Sequence, residues 1–132
     1  WRGKNIHQCL EAFFTHLRDR KSHLTAFIGH NGLMDGPVAV ETLGETTSTD
    51  AIVLFCLSAS WFKPHLEALK ARPVLTTEQF MYPGSFLLRD ALEVWLRGGP
   101  RSEIRMAAAR AYASNQKISV KAAAGVFTRL EE

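Results

Sequence analysis

The segment Ala51-Ile52-Val53-Leu54-Phe55, five apolar residues in a row closed by Cys56, decides the fold of this 132-residue chain. An uninterrupted apolar run of this length is expected of a central strand in a parallel sheet, covered on both faces. Ser58-Ala59-Ser60 follows it and leads into a helix over about 61–71, where Pro64 is tolerated in the first turn. Upstream, residues 23–29 (His-Leu-Thr-Ala-Phe-Ile-Gly) read as a second buried strand ending at a glycine. Downstream, 73–77 (Pro-Val-Leu-Thr-Thr) reads as a third.

The flanks are helical. Ile6, Leu10, Phe13 and Leu17 recur at helical spacing within 4–19, with Cys9 and Phe14 beside them and Glu11, His16 and Arg18 elsewhere on the wheel. Helices are expected over 84–97 and 101–115, divided by Gly98-Gly99-Pro100, and over about 118–130 from Ser119. The alanine-rich stretch 107–113 suits close helix packing, and Trp61, Phe62, Trp95 and Tyr112 are expected in the core. Residues 41–50, rich in Thr and Ser, read as a surface loop, with a short strand or irregular segment at 38–40. The resulting order predicts an α/β fold: a partial parallel sheet of about three strands flanked by helices, in a Rossmann-like three-layer arrangement. The chain begins at Trp1 rather than Met, so a piece of a larger domain lacking N-terminal strands is expected.

Hydrophobic residues make up 46% and charged residues 22%, which places the chain among globular proteins able to bury a core. The net charge of +3 comes from scattered Lys and Arg with no basic stripe, so nucleic acid is not an expected partner. No apolar run is long enough to span a membrane, and no membrane partner is expected. Cys9 and Cys56 lack CxxC spacing and are read as free thiols in a reducing compartment, the cytoplasm. His7, His16 and His23 have no zinc-like spacing; no metal and no cofactor is expected.

In parallel sheets, functional groups gather beyond the carboxyl ends of the strands. Two residues stand there: His30, in the turn His30-Asn31-Gly32-Leu33-Met34-Asp35-Gly36-Pro37, and Cys56. A thiolate is a strong nucleophile, and an imidazole relays protons near neutral pH. The first amides of the following helix would stabilise charge on Cys56, and the N–H of Gly32 with that of Cys56 would hold an oxyanion. Asp35 is a candidate to orient His30 or to pair with a basic substrate group, although a turn-forming aspartate explains it as well. Asn31 is a candidate oxyanion or substrate-binding group, and Glu78 a candidate partner for a substrate amine, against a simple solvated loop carboxylate. Ser58 and Ser60 are weighed as nucleophiles against helix capping. His65 is read as a surface or packing residue.

Phe27-Ile28-Gly29-His30-Asn31-Gly32 together with Ile52-Val53-Leu54-Phe55-Cys56 resembles the caspase-like superfamily of cysteine peptidases, in which one hydrophobic strand ends in a histidine followed by glycine and the next ends in the nucleophilic cysteine. The resemblance covers about residues 23–60. It implies a cysteine peptidase acting on a peptide or protein substrate, with His30 as acid/base, Cys56 as nucleophile and Gly32 as oxyanion contributor. Asn31 stands between the histidine and the glycine, Phe55 precedes the cysteine where a small residue is usual, and the interval from His30 to Cys56 is short for the family. These departures raise a second expectation, a catalytically inactive domain of the same fold that serves as a scaffold or interaction module. A phosphate-cradling role for the His30–Gly36 loop is the third, without GxGxxG or Walker-type spacing to support it.

Overall fold

A computed structural model describes residues 3–38 and 49–131. Three strands, β1 (Leu24–Ile28), β2 (Asp50–Leu54) and β3 (Arg72–Leu75), form a parallel sheet in the order β1-β2-β3. The apolar run thus occupies the middle of the sheet, as its composition requires. Leu24 to Ile28 pair one to one with Asp50 to Leu54. Between β2 and β3 the register shifts once, where Ala51 faces Pro73 and Ile52 faces Leu75. Pro73 has no N–H to donate, and the outer strand is where a sheet accepts it.

Because side chains alternate along a strand, β2 feeds two cores. Ala51 and Val53, with Phe55 just beyond, meet the apolar stripe of α1 (Ile6–Asp19) and of α2 (Ser58–Ala68): Leu10, Phe13, Phe14, Leu17, Phe62 and Leu66. Ile52 and Leu54 face the other way, toward α3 (Ser85–Leu96), α4 (Arg101–Gln116) and α5 (Val120–Ala124). Layers of helix, sheet and helix result. Ala107, Ala108, Ala109 and Ala113 are all buried, the close packing expected of the alanine-rich stretch. Gly98, at φ +73°, makes the left-handed turn that folds α3 back toward α4.

Some boundaries differ from the sequence reading. Helix α2 starts at Ser58, three residues early, because Leu57 takes a left-handed conformation and closes the turn at once. Strand β3 ends at Leu75; Thr76 and Thr77 use their backbone groups elsewhere, as described below. The expected helix over 118–130 is only the five residues of α5. Gly125 ends it, and the next residues run extended against 76–78: Thr77 and Phe127 form an antiparallel bridge, Glu78 N–H donates to Val126 O (2.8 Å) and Thr128 N–H to Thr76 O (2.9 Å). Trp61, expected in the core, is 42% exposed. Asp50, read as loop, begins β2, and Val38 is buried but not in a strand; the remainder of the loop reading, 39–48, lies outside the described residues. Among the described residues, no helix is long and apolar enough to cross a membrane.

Candidate functional site

Cys56 sits in a three-residue turn between β2 and α2. Leu57 follows it at φ 56°, ψ 35°, a conformation that costs a non-glycine residue about 1–2 kcal/mol. Three contacts to the strip after β3 hold this turn. Leu57 N–H donates to Gln79 O (3.1 Å), Ser58 N–H to Thr77 Oγ1 (3.2 Å) and Ala59 N–H to Thr77 O (2.9 Å). The Ser58 hydroxyl, fully buried, donates to Val53 O (2.8 Å) and accepts from Thr77 N–H (2.8 Å). The Thr77 hydroxyl donates to Phe55 O. Ser58 and Thr77 thus cap each other's backbone across the sheet. This corrects one expectation: the first amides of α2 are committed to the 77–79 strip and do not face a charge on Cys56. It also removes Ser58 as a nucleophile, since its hydroxyl is sealed in the core. Ser60 is exposed and its hydroxyl donates back to Leu57 O (3.2 Å), so it does not cap the first amides of α2.

The half-buried Cys56 thiol meets the same strip further along. Its Sγ accepts from Met81 N–H (3.4 Å) and donates to Met81 O (3.5 Å). Both cysteines are free thiols. For Cys9, burial raises the thiol pKa above its ordinary value.

The His30 turn adjoins the Cys56 turn because β1 and β2 are parallel neighbours. The ladder continues one residue past β1, with Gly29 N–H donating to Leu54 O (3.3 Å). Asn31, 1% exposed, then reaches across: its Nδ2 donates to Cys56 O (2.8 Å) while its Oδ1 accepts from Leu33 N–H (3.2 Å). The residue that separates the histidine from the glycine is therefore the tie between the two turns. The exposed His30 imidazole has its Nε2 2.7 Å from Asp35 Oδ2, which gives Asp35 the orienting contact considered for it. No hydrogen bond joins His30 to Cys56 among the described residues.

Gly32 has a different place from the one its sequence position suggests. Its N–H donates to His30 O (3.0 Å), and its carbonyl lies 3.1 Å from His7 Nε2. A Cβ here would stand 2.6 Å from Ile6 Cγ1 and 2.9 Å from Leu10 Cδ1. The glycine is needed for a close approach to α1, and its amide is occupied. Glu78 is exposed on the 77–79 strip, its N–H bound to Val126 O. The structure thus links His30, Asn31, Asp35 and Cys56, turns Gly32 toward α1, and leaves Glu78 on the adjoining strip. Sequence reasoning weighed Ser58 only as a nucleophile or a helix cap and saw the segment 76–84 only as a pocket wall; that Ser58, Thr77 and Met81 hold Cys56 in place depends on which strip lies opposite the turn.

Compared with known proteins, the chain matches no protein-family model, no curated protein and no solved structure.

Proposed function

We propose that this protein is a cysteine hydrolase of caspase-like type that cleaves peptide bonds, with Cys56 as nucleophile and His30, oriented by Asp35, as acid and base. The observation that carries the reading is the bond from Asn31 Nδ2 to Cys56 O, which fastens the histidine turn to the cysteine turn at one end of the sheet. Asp35 engages Nε2 of His30 and leaves Nδ1 for proton transfer. In the first half-reaction Cys56 Sγ, its proton passed to His30, adds to the scissile carbonyl. The carbon–nitrogen bond then breaks, His30 returns the proton to the leaving amine, and a thioester remains. In the second half-reaction water gives a proton to His30 and adds to the thioester; the acid product leaves and the proton restores the Cys56 thiol. Two unpaired cysteines accord with a reducing compartment such as the cytoplasm.

A peptidyl chloromethyl ketone tests the reading by intact mass and peptide mapping. Cys56 is expected to be alkylated in preference to Cys9, and His30→Ala to slow the reaction by about 100-fold or more, the usual contribution of a general base. Equal labelling of the two thiols, or none, would sink it.

One observation favours a second reading, a non-catalytic interaction domain. The first amides of α2 and the Cys56 sulfur already have backbone or side-chain partners in the 77–81 strip. Under this reading Cys56→Ala leaves partner binding intact, and a variant that lost its partner would count against it.

A further inference from the structure

Of the seven large hydrophobic side chains exposed among the described residues, four belong to the three segments at the carboxyl end of the sheet: Met34, Trp61, Phe80 (72% exposed) and Tyr82 (60%). Exposed apolar side chains mark a surface that gives up water to a ligand. Phe80 and Tyr82 flank Met81, whose backbone N–H and carbonyl both contact the Cys56 sulfur. These two rings are therefore the apolar groups adjoining the thiol in the chain that holds it.

They are also carried on a fixed support. The Met81 side chain between them is buried at 8% exposure, Gln79 O accepts from Leu57 N–H, and Tyr82 N–H donates to the Tyr112 hydroxyl (3.3 Å). A ligand meeting these rings has little loop ordering to offset.

The three segments, 29–36, 55–62 and 76–84, carry the carboxylates Asp35 and Glu78 and no Lys or Arg; Lys63, the next residue after the second of them, lies 3.9 Å from Glu67 on α2. His30 is the one group there able to become cationic, and it already faces Asp35. A substrate carboxylate would lose its water against apolar rings and meet two carboxylates, with no Lys or Arg of these three segments to receive it.

We infer that this rim selects peptides carrying a large apolar or aromatic side chain beside the cleaved bond and rejects those carrying an acidic one. The inference rests on the cysteine-hydrolase reading for the meaning of "cleaved bond", and its test separates the two. Wild-type protein is treated with peptidyl acyloxymethyl ketones that differ only in the residue next to the electrophile: Phe, Leu, Gly or Asp. Cys56 is expected to react about tenfold or more faster with the Phe and Leu probes than with Gly or Asp, a ratio typical of an apolar pocket. The ratio should collapse in a Phe80→Ser, Tyr82→Ser double variant, in which only exposed rings are removed. In parallel, Cys56→Ala is titrated with two blocked tetrapeptides, one with Phe and one with Asp at that position, by calorimetry. Tighter binding of the Phe peptide supports the inference whether or not Cys56 is reactive. Equal rates for the Phe and Asp probes, a faster Asp probe, or equal or absent binding of both peptides overturns it. A Cys56 that no probe labels overturns the hydrolase reading, and the peptide titration then decides the inference alone.

Discussion

At the scale of single residues, Asn31 carries more than its position in the sequence suggests. Read along the chain it interrupts a histidine–glycine pair; in space its amide serves Cys56 O and Leu33 N–H from a site that is 1% exposed. Asn31→Ala leaves both backbone groups without their partner, and a loss of about 1–3 kcal/mol is expected in urea titration. Asn31→Asp keeps the acceptor and loses the donor, so it should not restore stability. Gly32→Ala tests a different contact at the next position. Its methyl group would push into Ile6 and Leu10, with an expected cost of about 1–3 kcal/mol and a lowered melting temperature. The placement of His30 and Cys56 just past two strands was legible, because apolar runs report strands and strands report where they end. The partner of Asn31 and the crowding at Gly32 were not, because both depend on which backbone lies opposite, a property of tertiary packing.

At the scale of elements, sequence reading works where periodicity and burial agree. Strand β2 and helices α1, α3 and α4 lie within a residue or two of their expected positions because each has one unambiguous apolar pattern. Helix α5 is the counterexample. The expected helix runs to residue 130, yet Gly125 stops it and Val126, Phe127 and Thr128 pair with 76–78 and bury Phe127 at 1% exposure. The turns between elements also carry strain that composition hides. Lys117 ends α4 at φ 56° with an exposed side chain. Lys117→Gly relieves the left-handed penalty, and a gain of about 1 kcal/mol is expected in thermal unfolding.

Across the whole molecule, stability rests on two cores that share one strand. Phe62 is fully buried and its ring lies 4.7 Å from Phe55, 5.4 Å from Phe14 and 6.1 Å from Phe13, so it joins both helices of its layer to the sheet. Phe62→Ala is expected to cost about 3–5 kcal/mol. Against a total of about 5–15 kcal/mol, this should broaden or abolish cooperative melting seen by near-UV circular dichroism.

Acid should weaken the molecule in two stages. Burial lowers the pKa of His65, which packs on Phe14 with ring centroids 5.0 Å apart. A histidine depressed below about 6.5 contributes fully above that pH and loses its contribution as pH falls toward the folded value. At Asp50, burial pushes the carboxyl up, but hydrogen bonds from Arg72 and Trp95, with the charges of Arg72 and Arg101, outweigh it and leave a net lowering. Its contribution is present above about 3.9 and fades below it. Asp50 accepts two bonds from Arg72, at 2.8 and 2.9 Å, and one from Trp95 Nε1–H at 2.8 Å, tying β2, β3 and α3 at the end of the sheet opposite Cys56. Asp50→Asn should therefore be less stable than wild type at pH 7, with the gap narrowing by pH 3 in urea titrations.

The pairing of 126–128 with 76–78 means that these extended residues lie at the root of the segment that grips the Cys56 sulfur. A proteolytic nick between Gly125 and Thr128 would release that root while leaving β1, β2 and the His30 turn untouched. Damage there would then register as a change in thiol accessibility about seventy residues earlier in the sequence, a form of remote control exercised through two backbone bonds.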